Sequence, residues 1–446
     1  MAVEVLTRRG LIGGAAMLTA SAAHDAGPLA GAALPLAGAT LPLAGAALAT
    51  DLVRENLDHH DLERNVYCVL GLPIDALDMP ATLRRIDAAA ASRKPFLLST
   101  PNFDYLVQSR SDPEFRESLL DSDLCPADGM PIVWIARLIG VPVKERVSGA
   151  DIFDALKAPG RRLKLFLFGG ADGVAEAAAK SLDSIPAGGM SCVGTHNPGF
   201  VAVDAMSGAD TIDQVNASGA DFLAVALGAK KGQLWLHRNH SRLAIPVRAH
   251  LGAAFNFQAG QVRRAPPKFR AWGLEWLWRI KEEPYLWRRY WHDGSVLLRL
   301  FVTRVLPLVI VNRRNRLRSE RQPRDLLMNT AKSHGIVTIG LNGDAIGRHA
   351  DKAIAVFRDI LTESYQAVVI DLSSTHVIDQ RFFGLLLMLR KRLKGQGTTL
   401  TFIGASAAMK RMFRLNELDF LLNGEQSKEP HDGQDHKAQV SGTAIS

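Results

Sequence analysis

The sequence predicts an α/β protein with a mostly parallel sheet, followed by a basic helical segment and a second, smaller α/β unit. Short apolar runs alternate with alanine-rich helical stretches between about residues 65 and 261, a pattern typical of a parallel sheet with helices on both faces. The chain has 446 residues, of which 47% are hydrophobic and 22% are charged. This length predicts two or three domains, and the composition predicts globular units with sizeable cores.

Residues 1–60 are predicted to form a low-complexity N-terminal extension. The pentapeptide Pro-Leu-Ala-Gly-Ala occurs at 28–32, 35–39 and 42–46, which is typical of a flexible or weakly helical leader. Arg8-Arg9 followed by an apolar stretch is similar to a twin-arginine or secretory signal. We favour an unstructured extension or a misplaced start codon over a signal.

A first α/β domain is predicted at 61–262. Its predicted strands lie at 66–70, 96–98, 163–168 and 222–227, and its predicted helices lie at 79–92 and 174–184. The three cysteines are isolated in the sequence, so neither a disulfide framework nor a zinc site is expected, and a reducing compartment is indicated.

Residues 263–325 are predicted to form a basic, tryptophan-rich appendage and linker. Between Gln261 and Arg324 there are sixteen Lys/Arg and five Asp/Glu, and five of the seven tryptophans lie in this stretch. Such a block predicts binding to the phosphates of lipid head groups, diphosphates or nucleic acid. The apolar residues between the charges favour an anionic membrane surface, so no nucleic-acid partner is predicted.

The apolar run at 296–311 lies within this segment. It contains two arginines and is shorter than the roughly 20 apolar residues of a membrane-spanning helix. We therefore predict an interfacial helix, with tryptophan and arginine at head-group level. A core helix of an all-protein subdomain is the alternative.

A compact α/β domain is predicted at 333–423, and the polar residues 424–446 are predicted to be a disordered tail. The predicted strands of this domain lie at 336–341, 367–372 and 399–403, and its predicted helices lie at 350–362, 382–393 and 407–415.

Polar side chains follow an apolar run at the first candidate site. Thr100 and Asn102 come directly after the predicted strand at 96–98, and Asp128 follows 26 residues after Asn102 in an Asp-Gly pair. Ligands bind beyond the carboxyl ends of strands in open α/β sheets. Asp128 is therefore a candidate general base for a hydroxyl group, and a turn residue is the alternative.

A glycine-rich turn and an arginine are further candidates for binding an anion. Gly169 and Gly170 end a strand and open a helix, so their backbone can approach phosphate, although an ordinary β–α turn has the same form. Arg146 can pair with a phosphate or with a neighbouring acid. No Cys/His/Asp cluster has metal spacing, and the loop residue His196 lacks a second ligand, so neither a metal nor a cofactor is predicted.

Six motifs in a fixed order carry a family resemblance over about residues 65–292. They are Thr100-Pro101-Asn102, Asp128-Gly129-Met130-Pro131, Glu145-Arg146-Val147-Ser148-Gly149-Ala150-Asp151, Phe168-Gly169-Gly170, Arg264-Ala265-Pro266-Pro267 and Gly273-Leu274-Glu275-Trp276-Leu277-Trp278-Arg279 with its continuation through Arg288-Arg289-Tyr290. In order and spacing the chain resembles the WecG/TagA/CpsF glycosyltransferase family (glycosyltransferase family 26). The resemblance implies a Rossmann-like transferase domain with a helical, basic, membrane-binding appendage.

The resemblance also implies a chemistry and a set of site residues. It implies metal-independent, inverting transfer from a UDP-sugar to a polyprenyl-diphosphate-linked saccharide, of hexosyl- or N-acetylhexosaminyltransferase type. It implies that Asp128 is the base, with Thr100 and Asn102 in the catalytic site. The residues implied to bind substrate are Arg146, Gly169, Gly170, Lys231, Arg264, Arg279, Arg288 and Arg289, of which Arg279 and Arg289 lie in the appendage that closes over the lipid diphosphate.

Three positions depart from the family pattern. The family motif Gly-x-Pro-Lys-Gln-Glu is here Gly228-Ala229-Lys230-Lys231-Gly232-Gln233, so a side chain expected at Gly232 to touch substrate is absent. Where the family has Phe-Asp-Phe, this chain has Asn256 in place of the aspartate. Where the family usually has an arginine two residues after Glu-Pro, this chain has Leu286. These departures affect which sugar is expected and part of the expected contact with the acceptor. They do not affect Asp128, the residue implied to be the base.

The last domain resembles a STAS domain, the fold of anti-anti-sigma factors, through Asp371-Leu372-Ser373-Ser374 and Ile378-Asp379-Gln380. A phosphorylatable serine usually follows the aspartate in that family, and Gln380 stands in its place here. A binding role is therefore expected, with a protein partner or with a second copy of the chain.

The sequence thus predicts a cytoplasmic glycosyltransferase, peripheral on the inner face of the plasma membrane, in bacterial exopolysaccharide, lipopolysaccharide or cell-wall polymer biosynthesis. The alternative is a regulatory scaffold that acts through the STAS-like domain and carries a degenerate transferase domain.

Overall fold

The computed structural model describes residues 60–185, 188–266, 268–269, 275–282 and 287–423. The predicted N-terminal extension, apart from its last residue, and the predicted C-terminal tail lie outside the described residues. Within the described residues the chain is a mixed α/β protein with two five-stranded sheets and a two-stranded hairpin. The predicted fold class, a parallel-sheet domain followed by a small α/β unit, is confirmed.

The first region contains seven strands, ten α-helices and a short 3-10 helix at Ala205–Ser207 among the described residues. The strands are β1 (Val66–Val69), β2 (Leu72–Asp75), β3 (Phe96–Leu98), β4 (Leu163–Gly169), β5 (Met190–His196), β6 (Phe222–Ala226) and β7 (Val247–His250). The helices are α1 (His60–Glu63), α2 (Met79–Ser92), α3 (Phe103–Ser111), α4 (Pro113–Leu120), α5 (Met130–Leu138), α6 (Gly149–Leu156), α7 (Val174–Asp183), α8 (Ala209–Ala217), α9 (Ala229–Arg238) and α10 (Gly252–Gln258).

The second region begins with the basic segment and ends with the small α/β unit. Its helices are α11 (Glu275–Glu282), α12 (Trp287–Leu300), α13 (Leu306–Arg321), α14 (Ala350–Leu361), α15 (Gln380–Gly395), α16 (Ala407–Leu415) and α17 (Asp419–Leu422), with a π-helical turn at Phe301–Val305. Its strands are β8 (Leu327–Ser333), β9 (Ile336–Ala345), β10 (Ala367–Asp371), β11 (Thr375–Ile378) and β12 (Thr399–Ile403).

The main sheet has the strand order β3-β7-β6-β4-β5, and every pair in it is parallel. Its central strands β4 and β6 are almost wholly buried, because helices cover both faces and the strands are continuous apolar runs. The order places the carboxyl ends of β3, β7 and β6 side by side. The loops that carry the candidate site residues therefore leave the sheet at one edge.

The strand predicted at 66–70 does not join this sheet. Strand β1 pairs antiparallel with β2, with Val66 opposite Asp75 and Val69 opposite Leu72. The two residues between the strands, Leu70 and Gly71, have φ of 49° and 86°, which is the backbone that a tight two-residue hairpin turn requires. The apolar run was identified correctly, but the turn chemistry sends it into a hairpin.

The small α/β unit follows the predicted order of strands and helices. Strand β9 pairs parallel with β10 and β11, and β10 pairs parallel with β12. Strands β8 and β11 were not predicted, and β8 adds an antiparallel edge to β9. Residues of β8 are mostly exposed, so it lacks the apolar pattern that marks a buried strand.

The hydrophobic core runs from the first region into the small α/β unit. One cluster of buried side chains includes Leu72 of the hairpin, Phe115 of α4 and Phe383 of α15. Helix α15 packs on the hairpin so closely that a Cβ on Gly384 would lie 2.2 Å from the carbonyl oxygen of Val66. The two regions are therefore packed as one unit, although their sequence patterns are distinct.

Charged side chains add specific contacts at this junction. Lys391 of α15 pairs with Asp61 at 3.1 Å and with Asp123 at 2.6 Å. Arg64 is fully buried, and it pairs with Asp75 at 2.7 Å. Buried charges are tolerated only when they are paired and hydrogen-bonded. The pairs of Lys391 cross between the regions, whereas the pair of Arg64 with Asp75 lies within the first region.

The basic segment forms a long helix over Asp293–Arg321, which is long and apolar enough to span a bilayer by length and composition. One face contacts the protein: Arg304 pairs with Glu417 at 2.7 Å, and Asn312 donates to the carbonyl oxygen of Ile139 at 3.0 Å. Exposed apolar side chains lie elsewhere on it, including Leu298 and Ile310.

Candidate active site

Asp128 is brought beside Thr100 and Asn102 by strand-like pairing between two loops. The backbone N–H of Ser99 donates to the carbonyl oxygen of Leu124 at 2.9 Å, and the N–H of Asp128 donates to that of Pro101 at 3.0 Å. The segment that leads to Asp128 thus extends the sheet next to β3. The structure thus brings Asp128 next to the Thr100-Pro101-Asn102 segment at the carboxyl edge of the sheet.

The carboxylate of Asp128 has an unusual electrostatic environment. Burial raises its pKa from 3.8 to about 7, and the negative charges of Glu275 and Asp151 raise it as well. The positive charge of Arg146 and the backbone N–H of Gly149 act in the opposite direction. A carboxyl group with a pKa near neutrality can accept a proton with more driving force than an ordinary aspartate.

Thr100 and Asn102 are held in place by their backbone surroundings. Thr100 is buried, and a Cβ on Gly149 would lie 3.3 Å from its Oγ1 and 2.7 Å from Cδ2 of Leu251. The side-chain oxygen of Asn102 accepts a hydrogen bond from the N–H of Tyr105 at 3.2 Å and so caps α3. Asn102 therefore positions the start of α3, a role that the sequence did not indicate.

Arg146 and Arg264 belong to one network of ion pairs next to Asp128. Arg146 donates to Asp151 at 2.8 Å and to Glu275 of α11 at 2.6 Å. Arg264 contacts the carboxylates of Asp151 and Asp154. The network ties the appendage to the site through Glu275, and it places two guanidinium groups where a ligand's phosphates can compete for them.

The predicted glycine-rich turn is a close crossing of two strand ends. Gly169 and Gly170 have φ of 91° and 95°, and the N–H of Gly170 donates to the carbonyl oxygen of Ala226 at 2.8 Å. A Cβ on Gly169 would lie 2.7 Å from that oxygen. Both glycines are therefore required by the backbone, and α7 begins just beyond them without a side-chain cap.

Of the remaining predicted residues, Lys231 and Arg288 make their described contacts away from Asp128. Lys231 donates to the carbonyl oxygen of Val201 at 3.0 Å. Arg288 is exposed, with its guanidinium 5.7 Å from the ring of Trp287. The side chains of Arg279 and Arg289 lie outside the described residues, so their predicted contact with a lipid diphosphate stays a prediction.

Two residues that the sequence did not single out contact each other at this edge of the sheet. The hydroxyl of Tyr105 lies 3.1 Å from Nδ1 of His250, the last residue of β7. Burial lowers the pKa of this imidazole to about 4. A polar residue that ends a buried strand at the ligand edge was the available signal, and the sequence offered no reason to pair it with Tyr105.

Both the hairpin region and helix α15 support the loop that leads to Asp128. Asp75 of the hairpin accepts the N–H of Cys125 at 2.7 Å. Arg64 donates to the carbonyl oxygen of Ser122 at 2.9 Å, and Lys391 of α15 pairs with Asp123. Helix α15 and the hairpin thus hold both ends of the 122–125 segment. Among the described residues no group of three or more His, Cys, Asp or Glu could hold a metal ion.

Comparisons with known proteins agree with these observations. The sequence model of the glycosyl transferase WecG/TagA/CpsF family matches residues 67–308, and that of the "Mlab, STAS domain" family matches residues 330–423. An N-acetylglucosaminyldiphosphoundecaprenol N-acetyl-beta-D-mannosaminyltransferase of Bacillus spizizenii is 29% identical over 44% of this chain and 75% of that protein. The enzyme of the same name from Bacillus subtilis is 25% identical over 43% of this chain and 74% of that protein.

Among solved structures, the Bacillus cell fate determinant SpoIIAA in its phosphorylated form matches 22% of this chain and 88% of its own, with 17% identity and a TM-score of 0.19.

Proposed function

Because this chain belongs to the WecG/TagA/CpsF family of glycosyltransferases, we propose that it transfers a sugar from a UDP-sugar to a polyprenyl-diphosphate-linked saccharide, with inversion and without a metal. The two similar Bacillus enzymes are named for N-acetylmannosamine transfer to N-acetylglucosaminyl-diphospho-undecaprenol. These compounds are therefore the first donor sugar and acceptor to test. The product would enter a bacterial exopolysaccharide, lipopolysaccharide or cell-wall polymer.

The environment of Asp128 is the observation that carries this proposal. The acceptor hydroxyl attacks the anomeric carbon as its proton passes to the Asp128 carboxylate, and the bond from that carbon to the UDP oxygen breaks. A single displacement of this kind inverts the anomeric configuration. With a pKa of about 7, the carboxylate is ionised in about half of the molecules at neutral pH and accepts the proton readily.

The leaving diphosphate gains negative charge in this step, and in the absence of a metal the protein must stabilise it. Arg146 lies within electrostatic reach of Asp128, and Arg264 joins it through the shared partner Asp151. Both are paired with carboxylates of α6 or of the appendage. An arginine pairs with phosphate through parallel N–H donors. We assign the diphosphate to these two guanidinium groups, with the Gly169-Gly170 turn as a backbone contact.

The long helix at Asp293–Arg321 supports a peripheral position on a membrane. Its contacts through Arg304 and Asn312 occupy one face, which disfavours a lipid-surrounded span. Trp287 and Trp291 are 53% and 77% exposed, and tryptophan and arginine are the residues favoured at head-group level. We place this surface on the cytoplasmic face, where UDP-sugars are found.

The small α/β unit is better described as a support than as a switch. Gln380 is buried and accepts a hydrogen bond from Asn312 at 3.1 Å, so neither a hydroxyl nor solvent access exists at the usual phosphorylation position. Helix α15 is occupied by the transferase region. Binding to a protein partner or to a second copy would use the surfaces that remain exposed. The rival reading, a degenerate transferase, does not explain the electrostatics of Asp128.

The proposed function is tested with the purified full-length chain in detergent or vesicles. The assay supplies a panel of UDP-sugars, including UDP-N-acetylmannosamine, and a polyprenyl-diphosphate-linked N-acetylglucosamine. Transfer in EDTA with release of UDP, and its loss in Asp128→Asn, is the expected result. Folded wild-type protein that transfers no sugar from any UDP-sugar, or Asp128→Asn with near-native turnover, would contradict the proposal.

A further inference from the structure

A buried nitrogen of His250 has no hydrogen-bond partner among the described residues. The atom is Nε2, and His250 ends β7 at the same sheet edge as Thr100 and Asp128. A Cβ on Gly252 would lie 3.3 Å from Nε2, so the atom faces the start of α10. Buried polar atoms nearly always have a hydrogen-bond partner in folded proteins. An exception at the sheet edge where ligands bind indicates an atom whose partner is supplied by the ligand.

The hydrogen bond to Tyr105 determines which of the two ring nitrogens of His250 carries the proton. Burial raises the pKa of the Tyr105 hydroxyl well above its ordinary value, so this group keeps its proton. The imidazole is neutral, because burial lowers its pKa to about 4. The hydroxyl therefore donates to Nδ1 at 3.1 Å, and Nε2 carries the hydrogen as an unused donor.

Gly232 makes room for this ring. A Cβ at this position of α9 would lie 2.2 Å from Cδ2 of His250, so no side chain at 232 can coexist with the imidazole in this position. The resembling motif places a glutamine at 232, whose amide can also donate a hydrogen bond. His250 thus fills the volume of the missing side chain and supplies a donor from the neighbouring strand.

The donor lies near the reacting centre. The negative charge of Asp128 is the second cause of the raised Tyr105 pKa, after burial, so the Tyr105–His250 pair lies within electrostatic reach of the base. The base must lie close to the anomeric carbon when it accepts the proton. A neutral N–H in this place suits a hydroxyl or acetamido oxygen of the sugar, whereas the diphosphate is matched by the charged Arg146 and Arg264.

We propose that His250 is a specificity-determining residue, whose Nε2–H donates a hydrogen bond to an oxygen of the transferred sugar in place of a side chain at position 232. This assignment rests on the proposed function. In this assignment the hydrogen-bond donor to the sugar comes from position 250 in this chain, whereas the resembling motif would supply it from position 232.

The first test replaces His250 with alanine in the full-length chain. His240 provides a matched control, since burial also lowers its pKa to about 4, while its Nδ1 pairs with Arg248 at 3.0 Å beyond the far end of α9. We expect His250→Ala to lower kcat/KM for the UDP-sugar about 10- to 100-fold, the usual loss when a buried donor is removed. Inhibition by UDP alone should change less than about threefold, and His240→Ala should resemble wild type on both readouts.

A reciprocal exchange separates a sugar contact from a packing effect. Gly232→Gln alone introduces the clash with His250 and should be less stable and less active. The double variant Gly232→Gln with His250→Gly restores the volume and an amide donor, so it should recover at least tenfold in kcat/KM over Gly232→Gln, together with thermal stability.

Four results are decisive. Unchanged kcat/KM in His250→Ala overturns the inference and leaves the proposed function intact, as does an equal loss of affinity for UDP alone. A double variant no better than Gly232→Gln also overturns it. The activity of the wild-type protein is measured first. If it uses no UDP-sugar, the proposed function and this inference are both rejected.

Discussion

Replacing Asp128 with asparagine is expected to abolish most of the activity while making the folded protein more stable at pH 8. The structure raises the pKa of this carboxyl from 3.8 to about 7, so folding disfavours its ionised form. At about 1.4 kcal/mol per pH unit this rise is equivalent to about 4 kcal/mol. Solvent reaches part of the side chain and screens its charge, so we expect a gain of about 1–3 kcal/mol in the free energy of unfolding.

The sign follows from the two pKa values. Below pH 3.8 the carboxyl is protonated in the folded and unfolded states, so wild type and variant differ little. As the pH rises from 3.8 to about 7 the unfolded state loses its proton first, and the wild-type protein loses stability relative to the variant. Above about 7 the difference is constant, and it should be roughly two and a half times as large at pH 8 as at pH 5.

The assay combines urea unfolding at pH 5 and pH 8 with initial rates of sugar transfer. Loss of a general base costs about 10²–10⁴ in rate. Asp112→Asn is a control of opposite sign, because Lys230 and backbone N–H groups lower the pKa of Asp112, so this variant should lose stability as pH rises. If Asp128→Asn is less stable than wild type at pH 8, and its loss of activity matches its loss of folded protein, Asp128 has a structural role and the reasoning is wrong.

Three further changes test other parts of the structure. Glu275→Gln removes a negative charge that raises the pKa of the base, so the acid limb of kcat/KM should move down by about half a pH unit; an unmoved limb would contradict the assignment. Replacing Trp287 and Trp291, which are 53% and 77% exposed, with alanine should weaken binding to anionic vesicles about tenfold in a sedimentation assay, and equal binding would reject the membrane surface. Lys391→Met removes the cation that pairs with Asp61 and Asp123, while Asp61 keeps its pair with Arg64 at 2.9 Å, so urea unfolding should show a loss of about 1–3 kcal/mol and kcat should fall with it; wild-type stability would refute the role of this contact.

The sequence by itself determined most local elements and the place of Asp128, the proposed base, near the carboxyl edge of the sheet. Helix α2 was predicted at 79–92 from an alanine-rich stretch, and the structure agrees, with Asp78 as its cap and a proline in its first turn. Strand β3 was predicted at 96–98 from a short apolar run, and the structure agrees. The sequence could predict that Asp128 and Thr100 lie close together, because loops after parallel strands leave the sheet at one edge.

Contacts between distant residues were decided only by the tertiary structure. The hairpin at Val66–Asp75 is covered by α15, more than 300 positions later, and the same helix supports the loop of Asp128 through Lys391. The exchange between Gly232 and His250 depends on where α9 crosses the end of β7. Local propensity acts over a few residues, whereas packing joins surfaces whose separation along the chain is unrelated to their separation in space.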